Sequence, residues 1–216
     1  MTLSTLDLLT FETGPLQENC YLVVDRGSRQ AAIVDPGDEG ERLIASIEEV
    51  GADLRAIWLT HAHFDHVGAV AAIRRHFNVP AWLHEADVPM FEAGPFQAAS
   101  YGLPFEADET PAERFFEGQG LSVGELSFTV MHTPGHSPGH VTIHGHGIAL
   151  VGDCLFAGSI GRTDLPFGSA AELGRSLARI VALPPETRVL PGHGPATTVA
   201  EERRTNPWLL EMAGGR

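Results

Sequence analysis

The chain has 216 residues, enough to bury one sizeable core, and hydrophobic residues at 43%, charged residues at 19% and aromatic residues at 7% exclude disordered and fibrous classes. One domain spanning residues 1–216 is expected. Against 28 Asp and Glu stand only 14 Lys and Arg, so the formal net charge of −14 repels a phosphate backbone and disfavours nucleic acid as substrate, although bound divalent metals would still capture a small anion.

Met1 to Gly14 carries no basic residue, and Ser4, Thr5, Asp7 and Thr10 break its apolar positions. That is neither a secretory signal nor a membrane span, so a cytoplasmic protein without a membrane partner is expected. Leu3 to Phe11, Cys20 to Val24 and Ala31 to Val34 read as strands of a β-meander, divided by Gly-Pro, Arg-Gly-Ser and Asp-Pro-Gly turns. Leu43, Ile44, Ile47 and Val50 recur at helical spacing in Glu41 to Val50, which Gly51 closes. Ala56 to Leu59 is a buried strand, and a helical pattern returns from Val67 to Phe77.

Pro89 to Gly120 is rich in Gly, Pro and acidic residues with weak periodicity, as expected of a long loop or short helices over a site. The second half repeats the first: strands at Leu126 to Met131, Val141 to His144 and Ile148 to Val151, a helix at Ala170 to Leu183, and a strand at Arg188 to Leu190. Ala200 to Met212 reads as a short helical cap interrupted by Pro207. Cys20 and Cys154 form no CxxC pair and are expected as buried thiols without a disulfide.

His61, His63, Asp65 and His66 place four potential ligands within six residues, between the strand ending at Leu59 and the next helix. Imidazole with carboxylate is a set that zinc, iron and manganese accept. The same residue types recur after three later apolar strands: His136 in TPGHSPGH, Asp153 in VGDCLFAGS and His193 in LPGHGP. Each is flanked by glycine, which lets the backbone turn sharply towards a shared centre. These groups suffice for two divalent metal ions, one held by three His and the other by an Asp and two His. Asp153, with two oxygens, is the natural bridge.

In this order HxHxDH, TPGH, GD and PGHG resemble the metallo-β-lactamase superfamily over nearly the whole chain. The resemblance implies an α/β protein with an αββα sandwich, two mixed β-sheets flanked by helices, and a site at one edge of the sheets. It implies that His61, His63 and His136 hold one metal, that Asp65, His66 and His193 hold the other, and that Asp153 bridges them. Zinc is the first expectation, with iron or manganese also accepted. Such a pair lowers the pKa of bound water from about 16 towards 7 and holds a hydroxide while polarising a carbonyl. Asp65 is then both a ligand and the catalytic group that orients or deprotonates the water.

NCYLV, GSIGRTD and GHGP followed by ERRTNPWL resemble small glyoxalase II-like hydrolases that lack a separate C-terminal helical domain. That resemblance implies hydrolysis of a small glutathione-derived thioester such as S-lactoylglutathione. A thioester suits the site because its leaving thiolate is a weak base needing little help from an acid. Arg162 matches a basic position after the GD loop, which implies either an anion contact with substrate or a surface pair with Asp164. The aromatic contacts of the longer enzymes are not matched at Asp164 or Pro195.

The GRTD segment is also similar to persulfide dioxygenases of the same fold, which use one iron; here His61, His136 and Asp153 would hold it. β-Lactamases with HxHxDH lack a bridging Asp at the place of Asp153, which makes that activity a weaker expectation. His132 and His140 flank His136 and are expected to support it. Surface, core or supporting places are expected for His76, His84, His144 and His146. Cys154, beside Asp153 on an extended segment, is expected to point into the core.

Overall fold

Side chains on a strand alternate between two faces, and a strand apolar on both faces needs a covering layer on each side. The computed structural model, which describes residues 5–214, is organised by that requirement. Strands β1 (Leu6–Thr13), β2 (Glu18–Asp25), β3 (Gln30–Val34), β4 (Asp53–Trp58), β5 (Ala81–His84) and β6 (Glu113–Phe115) form one sheet in that order. It is antiparallel from β1 to β3 and parallel from β3 to β6. The second sheet runs β7 (Gly120–Val123), β8 (Leu126–His132), β9 (Val141–Gly145) and β10 (Ile148–Gly152), all antiparallel. The chain then makes the hairpin β11 (Leu155–Phe156) and β12 (Ser159–Ile160). It returns as β13 (Arg188–Pro191), parallel to β10, and ends the sheet with β14 (Thr197–Thr198).

Along β2, Cys20, Leu22 and Val24 join one apolar cluster while Tyr21 and Val23 join another. The first cluster lies under α1 (Gly40–Val50) and α3 (Val70–Phe77), from which Leu43, Ile47 and Ile73 are fully buried. The second fills the space between the sheets, where Val23, Ala32 and Trp58 meet Phe128, Ile143 and Leu150. A third puts Ala149, Val151 and Val189 against Leu173, Leu177 and Ile180 of α6 (Ala170–Ile180). The result is helix, sheet, sheet, helix, the expected αββα sandwich of the α/β class. Each fully buried Leu or Ile contributes roughly 1.5–3 kcal/mol.

Helix ends follow local chemistry. Gly51 closes α1 in the left-handed region at φ +66°, its N–H reaching the Glu48 and Ile47 carbonyls. Ser169 caps α6 by accepting from the Glu172 amide. The tail forms α7 (Val199–Thr205) and α8 (Pro207–Gly214), so Pro207 opens a helix, a place where its missing N–H leaves no helical bond unmade.

The helix expected over Val67 to Phe77 is two pieces, α2 (Phe64–Val67) and α3. A side chain at Gly68 would come within 2.4 Å of the Gly37 carbonyl oxygen, and one at Gly37 within 1.8 Å of the Asp65 carbonyl oxygen. The α2 turn therefore docks backbone to backbone on the Asp-Pro-Gly turn, and Ala69 N–H donates to the Pro36 carbonyl at 3.0 Å. The stretch from Pro89 to Gly120 contains most of α4 (Val88–Glu92), α5 (Gly94–Ser100) and β6. The first expected strand begins at Leu6 and runs to Thr13; Leu3 and Ser4 lie outside the described residues.

Cys20 and Cys154 are free and buried in different layers, and burial pushes the Cys154 thiol up to about 12. Among the described residues no helix is long and apolar enough to cross a membrane.

Candidate metal centre

Four loops leave the same edge of the two sheets, after β4, β8, β10 and β13, and they are stitched together there. Val141 N–H donates to the Thr60 carbonyl (2.8 Å), joining the start of the loop after β4 to β9. Asn19 on β2 donates its backbone N–H to the Gly192 carbonyl (2.7 Å) and its side-chain amide to the Pro191 and Gly194 carbonyls. The Tyr21 hydroxyl also reaches the Pro191 carbonyl (2.7 Å). The PGHG turn is thus held by the opposite sheet.

All seven residues expected at the site converge. One donor atom from each of His61, His63 and His136 lies within 4.8 Å of the others, and the same holds for Asp65, His66 and His193. Asp153 stands between the two groups: Oδ2 is 3.5 Å from His136 Nε2 and 3.7 Å from His193 Nε2, and Oδ1 is 3.5 Å from His66 Nε2. His193 Nε2 is also 3.3 Å from Asp65 Oδ2. A side chain at Gly192 would lie 2.3 Å from Asp153 Oδ1, so glycine there is what admits the bridge position.

The imidazoles are oriented from behind. His61 Nδ1 meets Thr60 Oγ1 (3.1 Å), which itself donates to Asp35 Oδ2 (2.6 Å) and therefore accepts from the ring. His66 Nδ1 meets the same Asp35 Oδ2 at 3.2 Å. His136 Nδ1 donates to the Arg162 carbonyl (2.9 Å), and His193 Nδ1 to the Leu16 carbonyl (3.1 Å). In each of these four rings Nδ1 is occupied and Nε2 is left to face the centre, the arrangement that a carboxylate or carbonyl behind a ligand imposes. His63 presents Nδ1 instead, 2.9 Å from His136 Nε2.

Among the described residues four buried side-chain atoms have no hydrogen-bond partner: Glu18 Oε1, and, at the centre itself, His61 Nε2, His66 Nε2 and Asp153 Oδ1. A buried polar atom left unsatisfied costs about 1–3 kcal/mol, so three aimed at one place fit a cation there. At His61 and His63 electrostatics agree with the donor chemistry. Burial, with neighbouring histidines, holds His61 well below its ordinary pKa and lowers His63 to about 3, keeping both rings neutral as ligands must be. Burial acts to raise Asp65, but the hydrogen bond from His193 and the charges of His66, His193 and His63 keep it well below the usual carboxylate range. Burial would lower His66, yet Asp153 and Asp35 push it up.

Sequence reasoning missed the buried carboxylates behind the ligands. In sequence Asp35 is only the turn residue of DPG, and the distant Thr60 and His66 give it its place. Asp87 accepts from Ala62 N–H (3.2 Å), the Ser137 hydroxyl (2.7 Å) and Gly139 N–H (2.5 Å), tying the HxH turn to the TPGHSPG turn. Glu18 is fully buried with Oε1 3.8 Å from His66 Nδ1, and burial raises its carboxyl well above the ordinary value. His140, expected behind His136, instead accepts from Asp153 N–H through its Nε2 (3.1 Å). His132 reaches the Pro138 carbonyl (2.9 Å) and stacks on His84 at 4.2 Å. His76 pairs with Glu48 at the surface, and His146 accepts from Ser127 N–H.

A cleft of about 810 Å³ opens over His63, Asp65, His136, Asp153 and His193, walled by α4, α5 and the segment 156–167. Arg162 lines it, but its guanidinium makes two bonds of 2.8 Å to Asp164, so of the two places expected for it the surface pair is the one formed. Cys154 points away, its Sγ bonded to the Thr133 carbonyl.

Residues 13–193 match the sequence profile of the metallo-beta-lactamase superfamily. The chain belongs to that superfamily. The superfamily binds divalent metals, and the histidine-rich groups above are this member's candidate site. The chain is 42% identical over 199 residues to the hydroxyacylglutathione hydrolase GloC of Haemophilus influenzae, covering 89% of this chain and 93% of that one. Among solved structures it resembles the TTHA1623 protein in a di-iron-bound form, at 46% identity and a TM-score of 0.87 over 93% of this chain and 100% of that one. It also resembles the B3 metallo-beta-lactamase BLEG-1, at 37% identity and a TM-score of 0.88 over 94% and 99% of the two chains.

Proposed function

We propose that the protein is a dinuclear metal-dependent hydrolase of glutathione-type thioesters. The observation that carries the reading is the convergence of three orphaned buried ligand atoms, from His61, His66 and Asp153, beneath one cleft. The similarity to GloC supports the thioester part, and the similarity to a di-iron protein supports two metals. His61, His63 and His136 would hold one ion and Asp65, His66 and His193 the other, with Asp153 between them. Divalent ions bound there supply an acidified water at neutral pH and polarise the substrate carbonyl.

The chain's own groups do the rest. Thr60 and Asp35 fix the His61 ring, Asp35 fixes His66, and the carbonyls of Arg162 and Leu16 fix His136 and His193. Asp65 Oδ2, kept ionised beside His193, accepts a hydrogen bond from the attacking water and turns its lone pair towards the acyl carbon. The water oxygen bonds to that carbon as one of its protons passes to Asp65 and from there to solvent, the C–S bond breaks with its electron pair on sulfur, and the thiolate takes up a proton from solvent. A carboxylic acid and a thiol leave.

Elemental analysis of the purified protein, paired with thiol release from S-lactoylglutathione with and without air, tests this. About two metal ions per chain with oxygen-independent thiol release support the reading. One iron per chain, no thiol release, and oxygen consumption with glutathione persulfide would replace it with the mononuclear dioxygenase.

A further inference from the structure

The cleft over the metal centre is walled by side chains that a water-facing surface does not favour. Phe96, Tyr101 and Phe167 line it while remaining 79%, 56% and 72% exposed, and Met90, Ile160 and Leu165 continue the wall inward. Clustered exposed aromatic rings around a concave opening mark a ligand surface. Phe167 adds a second sign: its backbone sits at φ +69°, the left-handed region that a bulky residue rarely adopts. Strain of that kind persists where the surrounding fold imposes it, and here it holds a ring at the mouth of the cleft.

Among the described residues, little on the same wall is free to recognise charge. The chain has no lysine, all 14 of its basic residues being arginine, and among the described residues the one arginine lining the cleft is Arg162. Its guanidinium is already bonded at both ends of its fork to Asp164. The acids at the floor, Asp65 and Asp153, repel an anion until cations cover them. Among the described residues, the glycyl and glutamyl carboxylates of glutathione therefore meet no uncommitted arginine on this wall.

We infer that the cleft selects its thioester through an apolar acyl group, aromatic or branched aliphatic, laid against Phe96, Tyr101 and Phe167, and not through the charges of the thiol half. The inference rests on the thioester hydrolase reading and specifies its substrate.

The test compares S-mandeloylglutathione with S-lactoylglutathione, which differ only by phenyl in place of methyl on the 2-hydroxyacyl group. For the metal-loaded protein the expected kcat/KM ratio is at least roughly tenfold in favour of the mandeloyl ester, about 1.4 kcal/mol at the transition state. Both rings are exposed, so Phe96→Ala and Phe167→Ala open no core cavity. Each should lower the ratio about threefold, and the double variant should bring it near one. Binding gives a readout without turnover: S-benzylglutathione should bind roughly tenfold tighter than S-methylglutathione by calorimetry. Hydrolysis of both esters at equal efficiency, equal affinities for the two thioethers, or a ratio unmoved in the double variant overturns this inference and leaves the hydrolase reading intact. Hydrolysis of neither ester overturns the hydrolase reading and the inference with it.

Discussion

Asp87→Ala is the most informative single change outside the ligands themselves. The carboxylate is buried and accepts from Ala62 N–H, the Ser137 hydroxyl and Gly139 N–H. Ala62 lies between His61 and His63, Ser137 follows His136, and Gly139 precedes His140. Removing the acceptor strands two buried amides at about 1–3 kcal/mol each, whereas the hydroxyl can rotate to another partner. Releasing a carboxylate that burial disfavours, its pKa being raised mainly by desolvation, gives part of this back. A net loss of about 2–4 kcal/mol is expected, out of a total that for such domains is about 5–15 kcal/mol. Urea unfolding of the metal-free variant at pH 7.5 should show its midpoint lowered by roughly 1 M or more with an unchanged slope. Metal affinity, read by competition with a chelator, should fall roughly 10–100-fold because the two turns lose their common anchor. A midpoint within about 0.3 M of the parent, with unchanged metal affinity, would refute the reasoning.

Other changes probe other parts of the site. Gly192→Ala would drive a methyl to 2.3 Å from Asp153 Oδ1 and should abolish stoichiometric metal binding while leaving far-UV circular dichroism near that of the parent; a fully loaded variant would show that the turn relaxes. Arg162→Ala should raise KM for S-lactoylglutathione less than about threefold, since an exposed pair with Asp164 is worth about 0–1 kcal/mol; a tenfold rise would make Arg162 an anion contact after all. The pH dependence of the metal-free protein follows from its histidines. His63 and His84, lowered to about 3 and about 4, and His61 and His140, also lowered by burial, take up protons in the unfolded chain before the folded one. Stability should therefore fall as the pH drops from about 7.5 to about 5. His66 and His193, both raised, act oppositely, contributing stability below about 6.5 that is lost as pH rises through their folded values. A higher melting temperature at pH 5.5 than at 7.5 would mean that this pair outweighs the others.

The ligands were legible because their chemistry is compressed into short strings, and those strings follow apolar strands that a single sequence shows well. The supports were not. Asp35 is 25 residues from Thr60 and Asp87 52 from Gly139, and in each case the carboxylate gains meaning only when the topology closes the distance. The break between α2 and α3 has the same origin, since the backbone contact of Gly37 with Asp65 and of Gly68 with Gly37 overrides a locally sound helical pattern. Strands of three or four residues, such as β5 and β6, are too short to show alternation and exist because the longer β4 offers an open edge from which the sheet extends. Arg162 and Asp164 sit two apart in an irregular segment, and their pairing is a choice between local partners that no spacing rule decides.

Asp35 carries a consequence for how the centre fills. Through Thr60 it orients His61, and directly it orients His66, and under the proposed assignment these rings belong to different metal positions. A first ion that fixes either ring also fixes the shared carboxylate, so the ordering that the second ion requires has been partly done. The two occupancies are then linked with positive cooperativity, and by reciprocity each ion raises the affinity for the other. Chains titrated with metal below saturation would divide into empty and doubly filled populations, with singly filled ones scarce.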